Sequence, residues 1–143
     1  MKINVGIDLG TTYSAVATFS KETGGVRILK NSMGEDCTPS VICMEGGRTL
    51  IGEDAKQEQK SGNVNTVAFY KSMMGDPQWT AFIDGEEFSA EALSGIFLKQ
   101  LVRDVSATNH VEIDGALITV PAYFNDRPRE ATLRAARAAG RQV

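Results

Sequence analysis

The chain is poor in residues that announce a specialised chemistry. Its 143 residues include one histidine, one tryptophan, two cysteines and four prolines. His110 stands alone beside Asn109 in a loop and is given no role. Cys37 and Cys43 have no CxxC spacing and no histidine cluster to partner them, so they read as reduced cytosolic thiols. No apolar run approaches the roughly 20 residues needed to cross a bilayer. The start, MKINVGIDLG, has one lysine and an apolar stretch interrupted by Asn4 and Asp8, unlike a signal peptide. Neither GxxxxGK followed by Ser or Thr nor GxGxxG after a strand occurs. Internal repeats and low-complexity tracts are absent too. What remains is ordinary globular material, 42% hydrophobic and 23% charged, which argues against disorder. A net charge of −3 and a pI near 5.2 disfavour a general nucleic-acid-binding surface.

Periodicity sets out the elements. Residues 3–8 read as a mostly buried strand, and 13–20 as a second with Ala15, Ala17 and Phe19 on one face. A KETGG turn leads to a third short strand, Val26 to Leu29, giving an antiparallel meander. One more strand is expected from Val41 to Met44, then a turn and a short return strand in EGGRTLIG. Glu53 to Lys60 is a polar helix candidate. Thr66 to Met74 is another, capped by Asn65 or Thr66 and stopped by Gly75. The longest helix starts after Ser89, with Glu91 at the positive end of its dipole and Leu93, Phe97, Leu101 and Val105 every four residues. A buried strand, Ala116 to Val120, ends at Pro121. A final helix, capped by Asn125 or Asp126, carries a small-residue face of Ala131, Ala135, Ala138 and Ala139 and stops at Gly140. Strands first, then mixed helix and strand, suit an α/β fold with a mixed sheet.

One turn carries possible chemistry. In GIDLGTTYSAVA, an aspartate, a glycine and two threonines separate two strand-like segments. A phosphate cradle needs inward-facing backbone N–H groups and room for close approach. Gly10 gives the room, and Thr11 and Thr12 add hydroxyl donors. Asp8 could hold Mg²⁺ directly or through its waters. Asp and Gly are also ordinary turn residues, so an unremarkable hairpin stays open on these residues alone.

The wider pattern decides between them. GIDLGTTYSAVA, TPSVI, NTVAFYKSMMG and ITVPAYFNDRPREATLRAARAAG, in that order, resemble the DnaK-type, seventy-kilodalton heat-shock chaperone family across nearly the whole chain. GIDLGTT alone fits the wider superfamily of actin, sugar kinases and these chaperones; VPAYFND before a helix is more specific. The resemblance implies an actin-like (ribonuclease H-like) ATPase fold, α/β, with a mixed β-sheet and flanking helices. The chain would be the first lobe of a nucleotide-binding domain, with 1–38 and 114–143 as a core subdomain and 39–113 inserted peripherally. It implies ATP or ADP with Mg²⁺ as ligands, and Asp8 orienting the metal through its water shell. Gly10, Thr11, Thr12 and Tyr13 would form a phosphate loop, with Thr11 near the attacking water. Many members carry Asn where Tyr13 stands, but the contact is through the backbone. Lys71 matches the catalytic lysine, which stabilises charge on the transferring phosphoryl group. Pro121 and Arg129 match a relay to a substrate domain. Without the family, Lys71 reads as solvated, Pro121 as a strand terminator and Arg129 as an exposed side chain. The stripe Arg134, Arg137 and Arg141 reads as a solvated face, and Trp79 with Met33, Met44, Met73 and Met74 as packing or surface.

The family further implies a cytoplasmic, stress-related chaperone with client peptides, a J-domain co-chaperone and a nucleotide-exchange factor as partners, but neither nucleic acid nor membrane. The short segment between Gly75 and Ser89 resembles some bacterial members, specialised paralogues included. The second phosphate loop, the adenosine pocket and the substrate-binding domain match nothing here, so the chain reads as an N-terminal fragment, inactive alone. The alternative is a phosphotransferase of the sugar-kinase type, against which VPAYFND and Lys71 argue. A filament-forming ATPase finds no support, and a non-catalytic binding module is the remaining reading.

Overall fold

The computed structural model describes residues 2–20, 24–68 and 70–119. Strand β1 (Lys2–Leu9) alternates with period two. Val5, Ile7 and Leu9 are buried, while Lys2, Asn4 and Asp8 are exposed. It pairs antiparallel with β2 (Tyr13–Ser20), which pairs antiparallel with β3 (Gly25–Leu29) and, at its other end, with β4 (Cys37–Pro39). β5 (Ile42–Glu45) lies between β6 (Arg48–Ile51) and β7 (Thr66–Val67) in a second, three-stranded sheet, and α1 (Gly52–Lys60) follows β6. A 3-10 turn spans Tyr70–Met73, and β8 (Thr80–Ile83) with β9 (Glu86–Ser89) forms a hairpin. Helix α2 (Ala90–Asn109) then leads to β10 (Glu112–Thr119), which lies parallel to β1. The main sheet is therefore mixed, in the order β10-β1-β2-β3 with β4 on β2, as the α/β reading expects.

Helix α2 joins the layers. The Ser89 side chain accepts the Ala92 N–H at 3.1 Å, capping the helix as expected. Leu93, Phe97, Leu101 and Val105, with Leu98 and Val102 beside them, pack on Val5, Ile7 and Leu9 of β1, Val16 of β2 and Ile113 of β10. Each such side chain contributes about 1.5–3 kcal/mol on burial. The helix ends at His110, in the left-handed region at φ 54°; its N–H donates to the Ala107 carbonyl. His110 is thus a C-cap. No described helix is long and apolar enough to cross a membrane.

Three expectations need correction. The segment Thr66 to Met74 is not one helix: Thr66 and Val67 pair with β5, and only Tyr70–Met73 coils, as a 3-10 turn. Asn65, offered as a helix cap, instead accepts the Asp84 N–H on its side chain at 2.9 Å. The strand expected at Val41 to Met44 is observed as Ile42–Glu45, and Thr38 and Pro39 just before it belong to β4 in the other sheet. The β8–β9 hairpin went unread, although Asp84-Gly85, at φ 52° and 81°, is the dipeptide that a two-residue type I′ turn needs. The last strand starts at Glu112, four residues before the expected Ala116. The final helix and its alanine and arginine stripes lie outside the described residues, as do Pro121 and Arg129.

Tyr70 is the one buried side chain among the described residues whose polar atom finds no hydrogen-bond partner. It is 1% exposed, with its ring 6.4 Å from that of Phe97. Burial pushes its phenol well above the usual tyrosine range. A buried hydroxyl left unpaired costs about 1–3 kcal/mol, while the ring contributes through contact alone. Tyr70→Phe should therefore raise unfolding free energy by about 1 kcal/mol. Urea denaturation checks this, and a less stable variant would show that the hydroxyl has a partner.

Candidate functional site

The acidic glycine turn leaves the sheet where β1 and β2 part, after the Leu9–Ser14 pair. Gly10 is required there by contact: a Cβ on it would sit 2.0 Å from the Tyr13 carbonyl oxygen. Ser40 holds the turn from the adjoining segment. Its Oγ donates to the Gly10 carbonyl at 2.9 Å, and its N–H donates to the Thr12 carbonyl at 2.9 Å. Ser14 Oγ lies 2.8 Å from Ser40 Oγ, and both serines are buried.

Asp8 stands on the exposed face of β1, two residues before Gly10. Lys71, in the 3-10 turn docked on α2, is only 4% exposed. Burial lowers its pKa, and the Asp8 charge opposes that by raising it. The fold therefore brings Lys71 within electrostatic reach of Asp8. Burial of the lysine is a tertiary property that a short polar helix in the sequence did not disclose.

Thr11 is half-buried and Thr12 exposed, both in the turn itself. The Tyr13 side chain leaves this group. Its hydroxyl accepts from Lys56 Nζ at 3.3 Å, and the ammonium lies 5.4 Å from the ring centroid. The ring borders a cavity of about 640 Å³ shared with Met33, Cys37 and Pro39, which does not include Asp8 or Lys71. A second cleft of about 360 Å³, at Thr49, Arg103 and Asp104, contains none of the site residues. Any role of Tyr13 at the turn thus falls to its backbone.

The arrangement can do two things chemically. The absent Cβ at Gly10 lets the turn close against the Tyr13 carbonyl, and the backbone N–H groups of such a turn can meet an anion. A partly desolvated ammonium beside a carboxylate can meet charge on such an anion. Among the described residues no three His, Cys, Asp or Glu side chains gather into a metal-ligand cluster. Asp8 offers a single exposed carboxylate beside the turn, a donor that would suit a small hard cation keeping most of its water and taking phosphate oxygens besides. Ser40, Ser14 and Lys56 were missed in the sequence. TPSVI marks the family but not the pairing of Tyr13 with Pro39 that sets Ser40 against the turn.

Comparison with known proteins bears on the chain as a whole. The family model described as Hsp70 protein matches residues 4–143. Two similar relatives, each named "Chaperone protein DnaK" and from two strains of Halobacterium salinarum, are 37% identical over 139 residues. The match covers 97% of this chain and 22% of each relative, so the chain spans about a fifth of their length.

Lys71 predicts a pH dependence. Its folded pKa lies below the 10.5 of an ordinary lysine, so between those values the unfolded chain binds more protons. Stability contributed at this position therefore rises with pH across that window. Lys71→Met should be more stable than wild type at pH 7, with the difference narrowing as pH approaches 10. Urea midpoints of both proteins at the two pH values measure this, and a constant difference would refute it.

Proposed function

This chain belongs to the Hsp70 family, and we propose that it supplies one jaw of the nucleotide site of an ATP-hydrolysing chaperone. The observation that carries the reading is buried Lys71 within electrostatic reach of Asp8, which stands two residues before a turn that needs glycine to close. Gly10, Thr11, Thr12 and Tyr13 bind phosphate through the backbone. Asp8 would hold Mg²⁺ through the metal's water shell, and the metal would supply neutralisation of phosphate charge. Lys71, held with little water around it, stabilises charge on the transferring phosphoryl group, and Thr11 lies near the attacking water. The sugar-kinase alternative is not favoured, since the matching family is Hsp70.

The division into a core subdomain, 1–38 and 114–143, and an inserted one, 39–113, is part of this proposal. The passage from the main sheet to the small one at Pro39–Ile42 supports it. Pro121 and Arg129 act as the relay to a substrate domain, on the strength of the resemblance alone. Joined to a second lobe and a substrate-binding domain, this chain would let nucleotide state control the binding of client peptides, with a J-domain co-chaperone and a nucleotide-exchange factor as partners in the cytoplasm. One jaw cannot enclose a nucleotide or exclude water from it, so residues 1–143 alone neither bind ATP tightly nor hydrolyse it.

Two measurements test this. In the longer protein, Lys71→Ala should lower ATP hydrolysis at least about 100-fold while nucleotide still binds. Near-normal turnover in that variant would remove Lys71 from its role. Calorimetric titration of residues 1–143 with MgATP should show affinity weaker than micromolar, and a micromolar constant would contradict the two-jawed site.

A further inference from the structure

The contacts of Ser40 dictate which way the N–H groups of the turn face. In a trans peptide the carbonyl and the following N–H point in opposite directions. The Gly10 carbonyl accepts from Ser40 Oγ, so the Thr11 N–H is turned away from Ser40. The Thr12 carbonyl accepts from the Ser40 N–H, so the Tyr13 N–H is turned away as well. Two carbonyls that would repel an anion are thereby drawn against one residue, and the Thr11 and Tyr13 N–H groups each face away from it.

The direction of the hydroxyl chain is also determined. A serine hydroxyl has one proton, and a carbonyl can only accept. Ser40 gives its proton to Gly10, so the hydrogen bond between the serines, 2.8 Å long, is donated by Ser14. Ser14 and Ser40 are 1% and 2% exposed, so water does not compete for these groups. Donation from Ser14 polarises the Ser40 hydroxyl and strengthens its hold on Gly10.

We infer that Ser40 is the positioning residue of the phosphate loop, fixing the Thr11 and Tyr13 N–H groups toward phosphate oxygens, with Ser14 supporting it. The inference rests on the nucleotide reading above and adds the group that gives the loop its polarity.

The test titrates the full ¹⁵N-labelled chain with Mg²⁺ and inorganic tripolyphosphate, following individual amide resonances. Wild type should show Thr11 and Tyr13 amides shifting together. In Ser40→Ala the affinity read from those amides should fall about tenfold, equivalent to about 1.4 kcal/mol. Ser14→Ala, which leaves the Gly10 bond in place, should fall about two- to threefold. A merely structural serine pair would lower both melting temperatures and leave the affinity of the folded protein unchanged. Equal affinity in folded Ser40→Ala and wild type overturns the inference and leaves the nucleotide reading standing. Tripolyphosphate that shifts other wild-type amides but not those of Thr11 and Tyr13 overturns both. Should Ser40→Ala not fold, hydrogen exchange in wild type decides. The Ser40 N–H should be protected from the start, and those of Thr11 and Tyr13 only after tripolyphosphate is added. Protection of Thr11 and Tyr13 without it refutes the inference.

Discussion

The double pairing of β1 sets the position of the main sheet and of the turn that leaves it. Parallel to β10 on one edge and antiparallel to β2 on the other, β1 cannot slip by one residue without exchanging its faces. With that register, Val5, Ile7 and Leu9 enter the core against α2, and Asp8 is left on the exposed face. The carboxylate is placed by the period of the strand and by the hydrophobic effect, and the turn at Gly10 begins where that strand ends. The parallel partner also demands a long crossover, and α2 occupies it, bringing the Tyr70–Met73 turn against the core.

Sequence legibility followed locality. β1, β2, β3, α1 and α2 could be read because alternation, a four-residue repeat and the Ser89 cap are local signals that tertiary structure reinforced. The stretch Thr66 to Met74 could not, because β-branched Thr66 and Val67 found a partner strand in β5 that lies far away in sequence. The β8–β9 hairpin has a local signal in Asp84-Gly85, flanked by strands too short to show a clear alternation. For the site, Asp8 and Gly10 were visible as a permitted cradle, and family resemblance selected that reading. The burial of Lys71 and the approach of Ser40 are long-range facts with no local signature.

Tyr70 and Lys71 show how the site burdens the fold. Adjacent residues in one tight turn place a phenol and an ammonium out of water, each with its ionisation displaced by burial. Apolar residues would suit that turn better on stability grounds. The ring of Tyr70 against Phe97 anchors the turn to α2, and the neighbouring backbone holds the lysine where the Asp8 charge can be felt. Local departures from good packing are expected where a fold serves chemistry.

Ser40 also occupies a mechanical position. Only Val41 separates it from β5, so the residue that grips Gly10 and Thr12 is the last link before the small sheet begins. The Val41 carbonyl is itself tied to the Gly52 N–H at the start of α1, at 3.1 Å. This short strap has little slack to absorb a displacement. Any swing of the small sheet relative to the large one would be transmitted through it to two peptide planes of the turn. The loop would then register the posture of the neighbouring sheet as a rotation of its own amides, as a lever registers movement at its fulcrum.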